Sequence, residues 1–257
     1  MTIYLQTKTR PAKEAPMTEA ERSARVELAA AYRIFDMLGW DQLIFNHITL
    51  RVPGPEKMFL INPFGLHYSE ITASSLLLID LEGNVLRESK WPANQAGFVI
   101  HSALHESQPG AHCIMHTHTT TGMAVACLKE GLSPHNFYGA MLQGQVAYHD
   151  FEGITVEPGE KERLVRDIGD KRAVILRSHG LLAWGPSVAQ AFLTLWTLQR
   201  ACDVQIAAAA AGAVLPVTPQ AIAQSVRESG QGEKRTCEDV FAALCRLVDA
   251  RDPSYRN

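Results

Sequence analysis

The spacing of hydrophobic and polar residues predicts helices and short strands in mixed order from Thr18 onward. Thr18 and Glu21 form a capping-box pattern, Leu28 follows at helical spacing, and Gly39 can close the helix in a left-handed conformation. Residues 46–52 alternate in polarity and are rich in β-branched side chains, which favours a strand. The fold therefore begins as a helix followed by extended structure.

The same criteria extend this prediction to the rest of the chain. Further strands are predicted at residues 58–61, 76–80, 85–86, 111–118, 146–149, 173–176 and 181–184. Further helices are predicted at residues 94–107 and 119–128, after Gly159, at residues 187–212, from Pro219 and from Thr236. We expect a flexible, polar N-terminal arm over residues 1–17 and one domain, a mixed sheet flanked by helices, over residues 18–257.

Composition narrows the class of protein and of partner. Hydrophobic residues make up 46% of the chain and charged residues 20%, which is typical of a globular protein. The net charge of −3 gives no reason to expect a nucleic-acid or membrane-surface partner. No apolar run reaches the roughly 18 residues of a membrane span, and the N-terminus lacks the apolar region of a secretory signal. The five cysteines form no CxxC pair, so a reducing cytoplasm is expected.

Candidate chemistry lies in the histidines, of which there are ten. His116 and His118 stand two apart on a predicted strand, so their side chains share one face and can converge on one cation. His179 follows the apolar strand at residues 173–176, where a buried imidazole needs a metal or a backbone hydrogen bond. Three histidines would leave a coordination position open, as in catalytic sites. The alternative for His116 and His118 is two polar residues at a strand end.

Other histidines are weaker candidates for ligands. His101 and His105 are four apart on one predicted helix but lack a third partner in the sequence, so we expect them at the core edge or behind the metal ligands, and not as ligands themselves. The remaining isolated histidines close to loops are expected to be polar surface residues: His47, His67, His135 and His149.

Several ordered motifs resemble the class II aldolase/adducin family. The resemblance covers the chain from about Glu19 to Ala208. The motifs that carry it are Asn46 to Arg51, Asn62 to Gly83, Asn94 to Ala103, His116-Thr117-His118 and Ser178 to Leu181. The amino-acid sequences of the Asn94 motif and of residues 146–150 are more similar to the adducin head domain than to sugar-phosphate aldolases.

This resemblance implies a three-layer α/β/α fold around a mainly antiparallel sheet, usually in a homotetramer. It implies a divalent metal, zinc before iron or manganese, on His116, His118 and His179, which would act as a Lewis acid on a small-molecule substrate. It also implies that Tyr138 lies in the loop that supplies a proton to the leaving group. The positions implied to contact substrate are Asn46, Asn62, Gly65 and Gln95.

Two departures from the family pattern affect the functional prediction. Gly97 stands where fuculose-phosphate-type aldolases carry a glutamate that serves as acid/base, so His135, Tyr148 or a metal-bound hydroxide are further candidates for the base. The phosphate-binding serines and threonine of those aldolases are absent, and the bulky, apolar Phe64 stands in that loop, which favours a non-phosphorylated substrate. The leading hypothesis is a metal-dependent lyase acting on a hydroxy-carbonyl compound. The alternatives are a non-haem iron oxygenase and a non-catalytic, adducin-like binding or assembly module.

Overall fold

The computed structural model describes residues 16–54, 57–153, 159–229 and 233–257, without the side chains of residues 95–97 and 233. Most of the predicted N-terminal arm, residues 1–15, lies outside the described residues. The strands are β1 (Ile48–Arg51), β2 (Phe59–Ile61), β3 (Leu77–Ile79), β4 (Cys113–Thr117), β5 (Val146–His149), β6 (Ala173–Leu176) and β7 (Gly180–Gly185). The α-helices in the described residues are α1 (Glu19–Leu38), α2 (Gln95–Ser107), α3 (Thr120–Ala126), α4 (Phe137–Met141), α5 (Glu160–Ile168), α6 (Val188–Ala211), α7 (Pro219–Ser229) and α8 (Glu233–Arg251).

The first helix shows how local sequence sets the element boundaries. The Thr18 hydroxyl accepts a hydrogen bond from the Glu21 backbone N–H at 3.1 Å, which satisfies one of the free amides at the start of α1. Gly39 ends the helix with φ 68°, a left-handed conformation that glycine adopts without steric cost. Both predicted boundaries are confirmed.

All seven strands form one sheet in the order β3-β2-β1-β4-β7-β6-β5. Every neighbouring pair is antiparallel except β5 and β6, which are parallel. The sheet is therefore mainly antiparallel. The strands predicted at residues 76–80 and 85–86 meet in a single antiparallel bridge between Ile79 and Val85.

Side chains alternate across the sheet and divide the core into two layers. One face carries Met115 and Leu181 and packs under α1, α6 and α8. The opposite face carries Ile114 and Leu182 and packs under α2 and α5. Helices cover both faces, so the predicted α/β/α layering is confirmed.

Two details of the secondary structure differ from the prediction. The last helix begins at Glu233 and not at Thr236. The short helix α4 was not predicted, although Asn136 caps it by accepting a hydrogen bond from the Gly139 N–H at 2.8 Å. A five-residue helix is too short to produce a recognisable hydrophobic period.

Candidate metal centre

The centre of the sheet supplies the first two histidines. His116 lies near the end of β4 and is 4% exposed, and His118 lies just beyond the strand and is half-buried. Because strand residues two apart share a face, both rings stand on the side of the sheet that α2 covers. The ring nitrogens His116 Nε2 and His118 Nε2 are 2.7 Å apart.

His179 reaches the same place through a tight turn between β6 and β7. Its backbone N–H donates to the Leu176 carbonyl at 3.1 Å, and Ser178 adopts a left-handed conformation with φ 54°. The Ser178 N–H donates to the Ala126 carbonyl at 3.1 Å, which ties the turn to the end of α3. A non-glycine residue in this conformation carries strain, so the surrounding hydrogen bonds must hold the turn.

The three rings form a compact set of nitrogen donors. His116 Nε2 lies 3.3 Å from His179 Nε2, and one nitrogen of each of the three rings lies within 4.8 Å of the others. His116 Nδ1 lies 2.8 Å from the Leu181 carbonyl oxygen, which can only accept. In the neutral ring Nδ1 therefore carries the proton, and Nε2 presents its lone pair to the centre.

Gly180 allows β4 and β7 to approach closely at this point. A Cβ atom there would overlap the Thr117 carbonyl oxygen, and it would lie 2.9 Å from His118 Cδ2 and 3.3 Å from His116 Cε1. The Ser178-His179-Gly180 sequence thus supplies both a ligand candidate and the space that its partners occupy.

Burial keeps the three imidazoles neutral. Burial lowers the pKa of His116 well below its usual range, and the neighbouring His118 and His179 lower it further. Burial, then His179, lowers the pKa of His118 to about 4, and burial also lowers the pKa of His179. Near pH 7 all three rings are therefore in the form that binds metal ions.

His47 is a fourth histidine beside the centre and is not the surface residue that the sequence predicted. It is 4% exposed, and its ring centroid lies 5.9 Å from that of His116. The pairing of Ile48 with Met115 explains this, because one step further along the register places His47 opposite His116. The sequence signal that could have indicated this position is the alternation of the polar residues His47, Thr49 and Arg51, whose side chains share one face of the predicted strand.

His149 is also buried, contrary to the prediction of a surface residue. It ends β5, is 5% exposed, and its Nδ1 lies 2.8 Å from Asp167 Oδ2 on α5. The predicted core-edge pair His101 and His105 is fully enclosed between α2 and the sheet. Among the described residues, only the set of His116, His118 and His179 has the geometry of a metal site with three or more ligands.

The predicted substrate contacts are spread over the loops before β1 and after β2. Asn46 is 1% exposed, and neither side-chain amide atom has a hydrogen-bond partner in the described part of the chain. Asn62 is equally buried, with its amide oxygen 2.9 Å from the Tyr32 hydroxyl. Gly65 has φ 116°, and a Cβ there would meet the Trp91 ring at 2.9 Å. The Gln95 side chain lies outside the described residues.

Tyr138 lies on α4 and is half-buried. Its ring packs edge-on against Trp196 on α6 at 5.4 Å and against Phe137 at 5.2 Å. These contacts fix the ring within its own chain, and the catalytic role of Tyr138 stays a prediction.

Comparison of the chain with known proteins identifies its family. Residues 26–206 match the family described as the class II aldolase and adducin N-terminal domain. The chain belongs to this family. All three clustered histidines lie inside the matched range, so the class II aldolase/adducin resemblance inferred from the motifs is confirmed.

Individual class II aldolase and adducin relatives show how far the similarity extends. An aldolase II superfamily protein from Pseudomonas syringae is 40% identical with a TM-score of 0.89, over 94% of this chain and 98% of that one. An L-fuculose 1-phosphate aldolase from Glaciozyma antarctica PI12 is 28% identical with a TM-score of 0.81, over 95% and 97%. Alpha-adducin of Rattus norvegicus is 46% identical over 191 residues, which span 73% of this chain and 26% of the adducin. Within the described residues, no helix combines the length and apolar character needed to cross a membrane.

Proposed function

We propose that this protein is a divalent-metal-dependent lyase that acts on a small, non-phosphorylated hydroxy-carbonyl compound. The observation that carries the proposal is the convergence of three neutral imidazoles, from β4 and from the turn before β7, on one point. The membership of the class II aldolase and adducin family supports the lyase class. The similarity to a fuculose-phosphate aldolase supports a carbonyl substrate.

The donor set fits zinc best. Zinc takes imidazole nitrogens at about 2.0–2.1 Å in tetrahedral geometry, which places neighbouring nitrogens roughly 3.3 Å apart. The 3.3 Å between His116 Nε2 and His179 Nε2 matches that value, and the 2.7 Å to His118 Nε2 needs a small outward rotation of the His118 ring. Iron and manganese are the alternative ions. When bound, such an ion supplies Lewis-acid polarisation of a carbonyl oxygen.

The remaining residues of the chain set the conditions for this chemistry. The Leu181 carbonyl fixes the tautomer of His116, and burial keeps the site histidines deprotonated. The loop Asn62-Pro63-Phe64-Gly65 carries no positively charged side chain, and Phe64 faces the exposed ring of Phe45 at 6.4 Å. A phosphate dianion would find no cation on this loop, so a neutral or carboxylated substrate fits better. Asn46, Asn62 and Gly65, with Gln95, are the proposed substrate contacts.

Proton transfer is proposed to involve Tyr138, because Gly97 offers no side chain. The Tyr138 ring packs against Trp196 of its own chain. The resemblance to the class II aldolases implies that it would serve the site of a second copy of the chain, across a subunit interface. We therefore propose a homo-oligomer, with a tetramer as the expected form.

The experiment measures metal content and activity together. Protein purified without chelator should contain one zinc per chain by elemental analysis and should cleave or form a carbon–carbon bond in a panel of non-phosphorylated hydroxy-carbonyl compounds. His118→Ala and His179→Ala should each weaken zinc binding at least about 100-fold, because each removes one of three ligands. His112→Ala, an exposed histidine outside the set, is the matched control. Zinc affinity unchanged in His118→Ala and His179→Ala would refute the proposal.

A second candidate is a non-catalytic binding or assembly module, which the 46% identity to alpha-adducin favours. In that case the His118→Ala variant would keep its oligomeric state and partner binding, and no panel compound would react in metal-loaded protein. Dioxygen uptake dependent on added ferrous iron, with no lyase activity, would indicate the oxygenase alternative instead.

A further inference from the structure

A chain of buried polar groups lies between β1 and α2, beside the metal centre. The Thr49 hydroxyl on β1 is 2.8 Å from His101 Nδ1 and 2.8 Å from His105 Nε2. All three residues are at most 1% exposed. One hydroxyl group therefore connects two imidazoles in the interior, where each hydrogen bond must have a definite donor.

The direction of these hydrogen bonds follows from the contact between His105 and the Ala111 carbonyl group. His105 Nδ1 lies 2.7 Å from the Ala111 carbonyl oxygen, which can only accept, so this nitrogen carries a proton. Burial lowers the pKa of His105 to about 3, so the ring is neutral and its Nε2 is an acceptor. The Thr49 hydroxyl must then donate its only proton to His105 Nε2, and Thr49 Oγ1 accepts from His101 Nδ1–H.

This direction fixes the tautomer of His101. The ring is neutral, because burial lowers its pKa well below the usual range, and its proton sits on Nδ1. His101 Nε2 is therefore a lone-pair acceptor, and it has no hydrogen-bond partner among the described residues. A buried acceptor without a donor is unfavourable, so such a group normally holds a water molecule or a ligand atom.

The His47 ring lies near both His101 and His116, and so connects the His101 acceptor with the metal centre. The His101 and His47 ring centroids are 4.2 Å apart, and those of His47 and His116 are 5.9 Å apart. The register of β1 and β4 places His47 and His116 opposite each other on the α2 side of the sheet, and His101 on α2 contacts the His47 ring there.

We propose that His101 is a positioning residue whose Nε2 accepts a hydrogen bond from a hydroxyl group held beside the histidine centre. The hydroxyl belongs either to an ordered water molecule or to the bound hydroxy-carbonyl ligand. The acceptor is a property of the fold, and only its use by a ligand rests on the proposed function. The Ala111 carbonyl sets the tautomer through His105 and Thr49.

The test is ¹⁵N NMR of the full chain with labelled histidine, loaded with zinc, before and after addition of hydroxyacetone as the probe. We expect His101 to carry its proton on Nδ1 and to show a hydrogen-bonded Nε2. A shift of Nε2 on adding hydroxyacetone would assign the donor to the ligand, and a hydrogen-bonded Nε2 unchanged by hydroxyacetone would assign it to water. A protonated Nε2, or a bare Nε2 in both samples, would overturn the proposal.

Two substitutions of Thr49 test the chain of hydrogen bonds. Thr49→Val keeps the shape and removes the hydroxyl, so the preference of His101 for the Nδ1–H tautomer should fall about tenfold, the equivalent of one hydrogen bond. Thr49→Ser keeps the hydroxyl and should preserve the wild-type ratio. A wild-type tautomer ratio in folded Thr49→Val would contradict the proposal.

The control for indirect damage is the zinc affinity of Thr49→Val, which should equal that of the wild-type protein. Should Thr49→Val fail to fold, the wild-type spectrum still decides the question. No measurement requires turnover, so a protein without lyase activity would refute the proposed function and leave the tautomer result standing.

Discussion

Gly180→Ala is predicted to damage the metal centre while leaving the sheet in place. The added methyl group would overlap the Thr117 carbonyl oxygen on β4 and lie 2.9 Å from His118 Cδ2. Ordinary contact begins at 3.4 Å, so the His118 ring must recede by about 0.5 Å. Zinc binding already needs the His118 ring to rotate outward from His116, and metal–ligand distances tolerate only about 0.2 Å, so the methyl group would restrict the ring positions that the ion requires.

The expected cost has two parts. Overpacking at a strand contact lowers the free energy of unfolding by about 1–3 kcal/mol. Displacement of His118 and the nearby His116 ring should weaken zinc binding about 10- to 100-fold, the usual effect of disturbing the support of a metal ligand. Competition with a chromophoric zinc chelator measures the affinity, and urea unfolding in EDTA measures the stability of the metal-free chain.

Gly110→Ala is the matched control. A Cβ at Gly110 would lie 3.6 Å from the Trp184 ring, an ordinary contact, so neither quantity should change by more than a few tenths of a kcal/mol. If Gly180→Ala bound zinc as tightly as the wild-type protein, the close approach of β4 and β7 at Gly180 would not be what positions the histidines.

Three further predictions concern stability. Because burial lowers the pKa of His105 to about 3 in the folded chain, stability is full above pH 6.5 and falls below it. In urea unfolding of metal-free protein, His105 alone should account for about 2 kcal/mol of the stability lost from pH 7 to pH 5, so the loss should be smaller by about that amount in His105→Gln; the same loss in both proteins would contradict this. Ser178→Val should cost about 1–2 kcal/mol in thermal unfolding, because a β-branched residue strains the left-handed turn before His179, whereas Ser178→Gly should be close to neutral. Thr18→Ala should lose about 1 kcal/mol by removing the cap of α1, with the exposed Ser23→Ala as control; equal stabilities would refute the capping role.

The parts of the fold that were predictable are those determined by neighbouring residues. The predicted spans of β5 and β6 agree with the structure because both strands are short apolar or alternating runs with clear boundaries. The cap at Thr18 and the end at Gly39 follow from local stereochemistry. The start of α8 at Glu233 was not predicted because the residues between Glu233 and Thr236 are charged. They include no apolar side chains at helical spacing.

The candidate site was predictable only in part because it depends on which strands pair. The spacing of His116 and His118 indicates a shared face without any knowledge of the sheet. The position of His47 opposite His116 depends on the pairing of β1 with β4, which are separated in the chain by β2, β3 and α2. The burial of His149 likewise depends on a partner, Asp167, that α5 brings to it.

The two strands that carry the centre both lie inside the sheet, β4 as its central strand and β7 beside it. β4 and β7 stand next to each other in the middle of a seven-stranded order that ends in β3 and β5. Amide hydrogens in such inner strands exchange with solvent only when the whole sheet opens, whereas edge strands open locally at lower free energy. The edge strands can therefore open locally while the cluster of three histidines keeps its shape.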